Sequence, residues 1–523
     1  MNIAQVLTEQ SALRPDAAAI IDAPGGRART TTFAEMERTS GRVAGLLKSL
    51  GLQPGDTVLV LQPMSPELYM ALVALFRLGL VAAFLDPSAG RDHVARSCEI
   101  AKPRLFIGSA KARLLLLLVP ELRHIPHKLV IGATLPGSMP WSRVERYAPV
   151  DSFHQCDEDT PALLTFTSGS TGRPKAAMRT HGFLLAQHRA LDRTIGLPAG
   201  VIELATLPVF ALANLAAGLT SVIPDADLRS PGKVDPGPIL AQIEEFRPTR
   251  AVGSPAFFDR IADRCLLENR KIPNIEHIYT GGAPVFPKLL DKLRCVAPNA
   301  NIVAVYGSTE AEPIAEIALN DITSADRAAM LDGSGLLAGP PVSVVNLKVL
   351  SNQWGTPVGP YTAEEFANGC AKSPEPGEIV VSGDHVLHGY LNGEGDEETK
   401  FRVDGKVWHR TGDAGCLDAD GRLWLLGRCS AIVRDEKGTL YPFAVECAAM
   451  HQPAVRRAAL VSRDGRRVLA VEAERGVQID QTELIAALGW AKLDRVIPLT
   501  TIPVDKRHNA KVDYPALNKL LKL

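Results

Sequence analysis

Short apolar runs rich in β-branched residues, at 57–61, 104–107, 128–131 and 301–306, alternate along this chain with longer amphipathic stretches such as 33–50 and 66–80. The short runs predict buried strands and the longer ones predict helices. Their alternation predicts an α/β architecture of largely buried, partly parallel sheets. Between 382 and 420 glycine and aspartate become frequent, the texture of turns between short strands, so a smaller β-rich subdomain is expected there. After Gly427-Arg428 the pattern becomes that of a compact α+β unit, with strands at 458–461 and 468–472 and a helix at 481–488. The expected organisation is a large N-terminal domain of α/β sheet layers, 1–427, and a small C-terminal domain, 428–523. Two further apolar stretches read as buried helices. One is 71–85, which is interrupted by Arg77 and falls short of the roughly 20 residues that cross a bilayer; the other is the leucine run 114–118.

Composition narrows the classes of function. The 523 residues carry 57 Lys and Arg against 58 Asp and Glu, a net charge of −1, with 46% hydrophobic and 22% charged positions. These are the proportions of a soluble globular protein. With no block of like charge, the electrostatic footprint of a nucleic-acid binder is missing. The N-terminus lacks a basic segment followed by an apolar one, so export is not expected and a cytoplasmic protein is. Eight cysteines without a C-x-x-C pair suit free thiols in a reducing compartment and supply no zinc framework. His124/His127 and His385/His388 stand apart from any second ligand cluster and read as packing or surface histidines.

The segment LLTFTSGSTGRPK, 163–175, carries the most chemistry. An apolar strand enters a loop of hydroxyl residues (Thr167, Ser168, Ser170, Thr171) and glycines (Gly169, Gly172) and reaches Lys175. Glycines let backbone approach a ligand, hydroxyls and N–H groups bond phosphate oxygens, and the lysine adds charge. It departs from the Walker loop, since Pro174 stands at the second glycine and Ala176 follows the lysine. Tyr306-Gly307-Ser308-Thr309-Glu310 presents an aromatic ring, a glycine, hydroxyls and a carboxylate after a second strand, parts that suit a nucleotide with Mg²⁺. Thr411-Gly412-Asp413 adds a carboxylate in a tight turn, suited to a ribose diol. Singly, each reads as an ordinary turn; the weight lies in their order and joint occurrence.

That ordered set, TFTSGSTGRPK, GGAP, YGSTE, GEIVVSG with HGYLN, RTGD and Gly427-Arg428, resembles the adenylate-forming superfamily of acyl-CoA synthetases, luciferases and peptide-synthetase adenylation domains, over nearly the whole chain. The resemblance implies ATP as a substrate, Mg²⁺ as cofactor and a mobile C-terminal domain. It implies that residues 167–175 handle phosphates and that Gly281, Gly282, Ala283 and Tyr306, with Gly307 beside it, flank adenine. Thr309 and Glu310 would serve phosphate and metal, and Asp413 with Arg428 the ribose. In IPVDKRHNAKVDY it places Lys511 at the family's catalytic lysine, although Asn509-Ala510 replaces the usual Thr-Gly. An ammonium there neutralises charge that develops as a carboxylate attacks the α-phosphate. Lys506 is the neighbour that competes for the assignment.

Departures narrow the expectation. Phe210-Ala211 and Asn214 replace the aromatic-His pair and later glycine of many acyl-CoA ligases, Ser430 replaces the hinge Asp or Lys, and Lys437 stands where a glycine approaches pantetheine. These positions serve thioester formation, so coenzyme A is in doubt while adenylation is intact. The phrases RTHGFLLAQHRAL, TLPVFALANLAAG, YGSTEAEPIA and PVDKRHNAKVDYPAL resemble the β-lactone synthetases of bacterial long-chain olefin biosynthesis. That implies a long-chain 2-alkyl-3-hydroxy acid as substrate, an intramolecular hydroxyl as acceptor, and other enzymes of the olefin pathway as partners. The stretch 207–217 is the expected alkyl-chain wall. His181 and Glu312 are both open as a base for the hydroxyl, a structural role for His181 being at least as well supported. The rival readings are an acyl-CoA ligase, an acyl-adenylate donor to a carrier protein, and a catalytically silent binding protein.

Overall fold

A computed structural model describes residues 1–85, 90–132, 136–168, 174–351, 353–505 and 510–521. They form two compact units: one of Met1–Asp225, Glu244–Pro248 and Asp384–Glu397, the other of Ala226–Ile243, Thr249–Gly383 and Glu398–Leu523.

In the first unit the strands Met139–Pro140, His127–Ile131, Leu105–Ser109, Thr57–Leu61, Val81–Phe84, Pro161–Ser168 and Pro174–Thr180 lie side by side in that order. All neighbours run parallel except the last pair, a hairpin. Val58, Leu59, Val60, Leu105, Phe106 and Ile107 are buried, as continuous apolar strands between helical layers should be. A second group sets Ile202–Ala205, Thr220–Val222 and Ala18–Asp22 parallel, with Arg29–Thr32 antiparallel at the edge.

The expected helix over 71–85 is not continuous. The helix Pro66–Arg77 stops, Gly79 takes a φ of +68°, and the chain re-enters the sheet as Val81–Phe84. Glycine adopts that left-handed conformation without steric penalty, which is why the chain turns there. Arg77, whose charge interrupted the apolar run, is fully buried. Its guanidinium pairs with Glu37, donates to the Val150 carbonyl at 2.5 Å and to Thr8 Oγ1 at 3.1 Å, and lies 4.8 Å from the Phe153 ring centre. The leucine run does form a helix, Arg113–Leu118, but a short one with Leu118 exposed and Leu115 and Leu116 only half-buried.

In the second unit Arg250–Gly253, His277–Gly281 and Asn301–Ser308 run parallel, and Ala311–Ala318 returns antiparallel beside the last. The helices Pro255–Leu267 and Pro287–Val296 cross between these strands. The β-rich part is an antiparallel sheet ordered Leu336–Gly339, Leu423–Arg428, Lys406–Leu417, Gly377–Ser382 and Asn346–Leu350, with Lys400–Val403 also paired to Lys406–Leu417. At the C-terminal end the strands Val455–Arg463 and Arg466–Ala473 form a hairpin, joined in parallel by Arg495–Leu499 and packed under the helix Pro442–Met450. Among the described residues no helix is long and apolar enough to cross a membrane.

Removing the fully buried Arg77 guanidinium leaves the Val150 carbonyl and the Glu37 carboxylate, 24% exposed, without their donor. Arg77→Ala is expected to destabilise the first unit by about 3–5 kcal/mol, read as a clear fall in the thermal midpoint. An unchanged midpoint would show that the buried guanidinium does not hold the first helical layer.

Candidate active site

Ligands of α/β sheets collect at the carboxyl ends of parallel strands, and in the second unit those ends carry Gly281 and Tyr306. At Gly281 a Cβ would stand 2.6 Å from the Val305 carbonyl oxygen of the neighbouring strand, and Gly282 has φ +80°. Only glycine lets the chain turn so close to its neighbour. Tyr306 donates its hydroxyl to Asp413 Oδ2 at 2.8 Å. Burial, then the adjacent Asp413 carboxylate, raise the Tyr306 phenol well above its usual range, so it remains a donor. Arg428 Nη1 stands 3.2 Å from Asp413 Oδ1 and donates to the Thr411 carbonyl at 3.0 Å.

Residues 411–413 do not form the expected tight turn between strands. They lie inside the strand Lys406–Leu417, where Arg410 opposes Val380 and Ala414 opposes Glu378, so the three residues bulge opposite Ile379. Thr411 Oγ1 donates to the Ile379 carbonyl at 2.9 Å and accepts from Asp413 N at 3.1 Å, and Gly412 has φ +71°. A bulge re-aims a side chain without ending the ladder, and here it presents the Asp413 carboxylate. Beneath it Arg410 and Glu378, both fully buried, meet at 2.6 and 3.0 Å. Arg410 also donates to the Thr356 carbonyl at 2.6 Å and the Gln353 carbonyl at 3.3 Å. Burial raises the Glu378 carboxyl above its ordinary range, against the pull of Arg410.

A cavity of about 250 Å³ in this unit brings together Gly282, Ala283, Tyr306, Gly307, Asp413, Arg428 and Lys511. Lys511 reaches it from a clamp formed by its own segment. Asp505 Oδ1 accepts from Ala510 N at 3.2 Å and Lys511 N at 2.9 Å, while Asp505 N donates to the Lys511 carbonyl at 2.8 Å. Lys506 lies outside the described residues. Among cavity residues to which no role was assigned from sequence are Glu446 and Tyr514, the latter three residues beyond Lys511 in the same segment. Glu446 Oε1 accepts from Tyr514 Oη at 2.7 Å and from Leu460 N at 3.0 Å, and burial pushes its carboxyl up to about 7. Thr309 and Glu310 follow Ser308, whose Oγ accepts from Glu310 N at 3.3 Å. The nearby Glu310 carboxylate acts electrostatically on Arg428. One carboxylate beside a hydroxyl is a donor set that fits Mg²⁺, an ion that completes its shell with phosphate oxygens and water. Among the described residues no group of three or more His, Cys, Asp or Glu could form an all-protein metal site.

The remaining expected residues belong to the first unit. Thr167 and Ser168 end the strand Pro161–Ser168, whereas Gly169, Ser170, Thr171 and Gly172 lie outside the described residues. Lys175 is buried on the returning strand, its ammonium 6.0 Å from the Tyr390 ring centre. A Cβ on Gly395, three residues beyond HGYLN, would meet the Lys175 side chain at 2.5 Å, so the chain after that segment passes close to this lysine. His181 begins the helix His181–Ile195 and is fully buried. Its Nδ1 accepts from Ile3 N at 3.1 Å, and burial, with the N-terminal ammonium, pushes it down to about 4. That bond ties two helices together, a structural role. Phe210 and Asn214 are buried on the helix Pro208–Ala217, and the Asn214 amide donates to Glu203 Oε1 at 2.7 Å and Ser221 Oγ at 3.1 Å.

Residues 7–391 match the family model described as AMP-binding enzyme. The chain is 32% identical to the olefin beta-lactone synthetase of Xanthomonas campestris pv. campestris, covering 98% of this chain and 96% of that protein. It is 29% identical to a feruloyl-CoA synthase of Amycolatopsis, covering 87% and 86%. The fold matches that of ATP-bound MatB from Rhodopseudomonas palustris with a TM-score of 0.80 at 21% identity, over 100% of this chain and 99% of that one.

The Glu446 carboxyl binds its proton more tightly in the folded protein than in the unfolded chain. Its contribution to stability is therefore full below about 4.5 and lost as the pH rises through about 7. Glu446→Gln keeps an acceptor for Tyr514 and Leu460 but cannot ionise. The variant's thermal midpoint relative to wild type is expected to improve from about pH 4.5 to about pH 7 and to level off above that. A difference that does not change with pH would mean that the carboxyl titrates normally.

Proposed function

Because this chain belongs to the AMP-binding enzymes, we propose that its ATP-dependent adenylation activates a long-chain 2-alkyl-3-hydroxy acid, which then closes to a β-lactone. Adenylation is the chemistry of the family; the acid and the ring closure are the proposal. The observation that carries it is the cavity in which Tyr306, Asp413 and Arg428 stand together with Lys511. Identity of 32% along nearly the whole length of an olefin beta-lactone synthetase supports the choice of acceptor.

In the first half-reaction a carboxylate oxygen of the acid attacks the α-phosphorus of ATP, the bond to the β-phosphate oxygen breaks, and pyrophosphate leaves. Lys511 supplies positive charge where negative charge grows on the α-phosphate, an interaction stronger in the transition state than before it. Asp413, with its carboxylate held by Tyr306 and Arg428, accepts from the ribose hydroxyls, and Gly282 and Ala283 lie along the base. Glu310 and Thr309 would hold Mg²⁺, which offsets phosphate charge when bound. The 167–175 loop, with Lys175, handles the phosphates. The division of labour follows the 427/428 boundary, with 428–523 delivering Lys511.

In the second half-reaction the substrate's own β-hydroxyl oxygen attacks the acyl carbon, the ring C–O bond forms as the bond to the AMP oxygen breaks, and the hydroxyl proton leaves with the AMP phosphate. Tethering nucleophile and electrophile in one molecule removes the entropy of bringing in a second substrate. No thiol is then required. Lys437, at the position where a glycine would admit pantetheine, directs its ammonium to Asp494 and to the Lys492 carbonyl, which supports the same reading. The helix Pro208–Ala217 supplies the apolar wall for the alkyl chains. The product would pass to other enzymes of olefin synthesis.

Two measurements test this. With ATP, Mg²⁺ and a synthetic 2-alkyl-3-hydroxy acid, β-lactone and AMP are expected without coenzyme A; conversion of a plain fatty acid to its thioester at a comparable rate would overturn the reading. Lys511→Ala is expected to slow pyrophosphate release by about 100-fold or more while ATP binding changes little. Near wild-type release by that variant would remove Lys511 from the chemistry.

A further inference from the structure

The ribose-binding bulge has a cover that no motif marks. Residues 351–376 connect Asn346–Leu350 to Gly377–Ser382, and Trp354 lies early in that connection, 39% exposed. Large apolar side chains at that exposure are ordinary when scattered, but this one is placed with care. A Cβ on Gly412 would stand 3.0 Å from the Trp354 indole and 3.6 Å from Arg428 Nη1. The indole therefore rests on the glycine of the bulge, directly between Thr411 and Asp413.

The position of the indole is itself imposed from below. The Arg410 guanidinium lies 5.8 Å from the Trp354 ring centre, and its two donor bonds to the Gln353 and Thr356 carbonyls hold the chain on either side of Trp354. That guanidinium is anchored in turn by the buried Glu378 carboxylate. The sequence Glu378, Arg410, Trp354, Gly412 is thus one continuous stack of contacts that ends between the two residues to which Arg428 bonds. The far end of the connection is fixed as well, since Tyr361 and Phe366 pack with Phe401 and Trp408 in one aromatic cluster.

A bulge with a left-handed glycine has more backbone freedom than a regular strand. Freedom at Gly412 moves Asp413, and a carboxylate that must meet a diol loses affinity when it is not held in place. We propose that Trp354 is a positioning residue for the ribose end of the nucleotide, clamping Gly412 so that Asp413 and Arg428 are fixed before ATP arrives. This rests on the reading of Asp413 and Arg428 as the ribose site. Trp354 touches the bulge and acts through it on the nucleotide, so its effect falls on ATP recognition rather than on the transfer step.

The test compares the full-length wild type with Trp354→Ala and Trp354→Phe, by calorimetric titration with ATP and Mg²⁺ and by steady-state pyrophosphate release. Trp354→Ala is expected to weaken ATP binding and raise the KM for ATP by about tenfold. Its kcat at saturating ATP and its KM for the acid should stay within about twofold, and Trp354→Phe should recover most of the loss. The preference for ATP over 2′-deoxy-ATP should also shrink in the alanine variant, because a loosened Asp413 gains less from the 2′-hydroxyl. A surface role in stability alone would lower the thermal midpoint and leave that preference unchanged. If Trp354→Ala does not fold, Trp354→Leu keeps apolar bulk without the plane and is expected to show the same KM shift. Wild-type ATP affinity and nucleotide preference retained by the variants would overturn this inference and leave the nucleotide site standing. Failure of the wild type to bind ATP would overturn both.

Discussion

Glu378 and Arg410 are closed off from water almost completely, and a carboxylate and a guanidinium in that state must satisfy each other. The requirement fixes more than one pair of side chains. Glu378 belongs to the strand Gly377–Ser382 and Arg410 to Lys406–Leu417, so their contact sets where the two strands meet and where the mismatch in their registers falls. That mismatch is the bulge carrying Thr411, Gly412 and Asp413. Arg410 spends its remaining donors on the carbonyls flanking Trp354. A single buried ion pair thus underlies the ladder, the half-buried Asp413 carboxylate above it and the indole that covers the bulge.

Around this base the site keeps its ionisable groups in distinct states. Tyr306 is held as a phenol that donates to Asp413, and Arg428 is held charged by the same carboxylate. Both groups point their donors at the Asp413 carboxylate, the kind of group a ribose diol bonds to. Lys511 is placed by its main-chain N–H on the Asp505 carboxylate and by the Asp505 N–H on its own carbonyl.

Two chemistries remain close neighbours on such a scaffold. Adenylation is the chemistry of the family to which the chain belongs. The acceptor step is decided elsewhere, by whatever reaches the acyl-adenylate first. Lys437 engaged with Asp494 at the hairpin following Arg428 is consistent with an acceptor that comes with the substrate.

Much of this was legible in the residues alone. The strands at 57–61 and 301–306 and the helix over 33–50 follow from apolar periodicity, because buried strands and amphipathic helices demand those patterns wherever they occur. The order of the Gly-, Ser- and Asp-bearing motifs pointed to ATP and to Tyr306, Asp413, Arg428 and Lys511. Contacts distant in sequence were not legible. Arg77 read as a break in an apolar run and proved to be the buried partner of Glu37; 71–85 read as one helix because periodicity does not register the backbone turn at Gly79. Trp354 and Glu446 have ordinary neighbours in the chain and acquire meaning only from Gly412 and from Leu460 and Tyr514, respectively. Local patterns determined the elements and the chemistry at hand, since these depend on spacing within one segment. Which side chain lies over which backbone, and which carboxyl loses its water, was decided by tertiary packing, since burial belongs to no residue by itself.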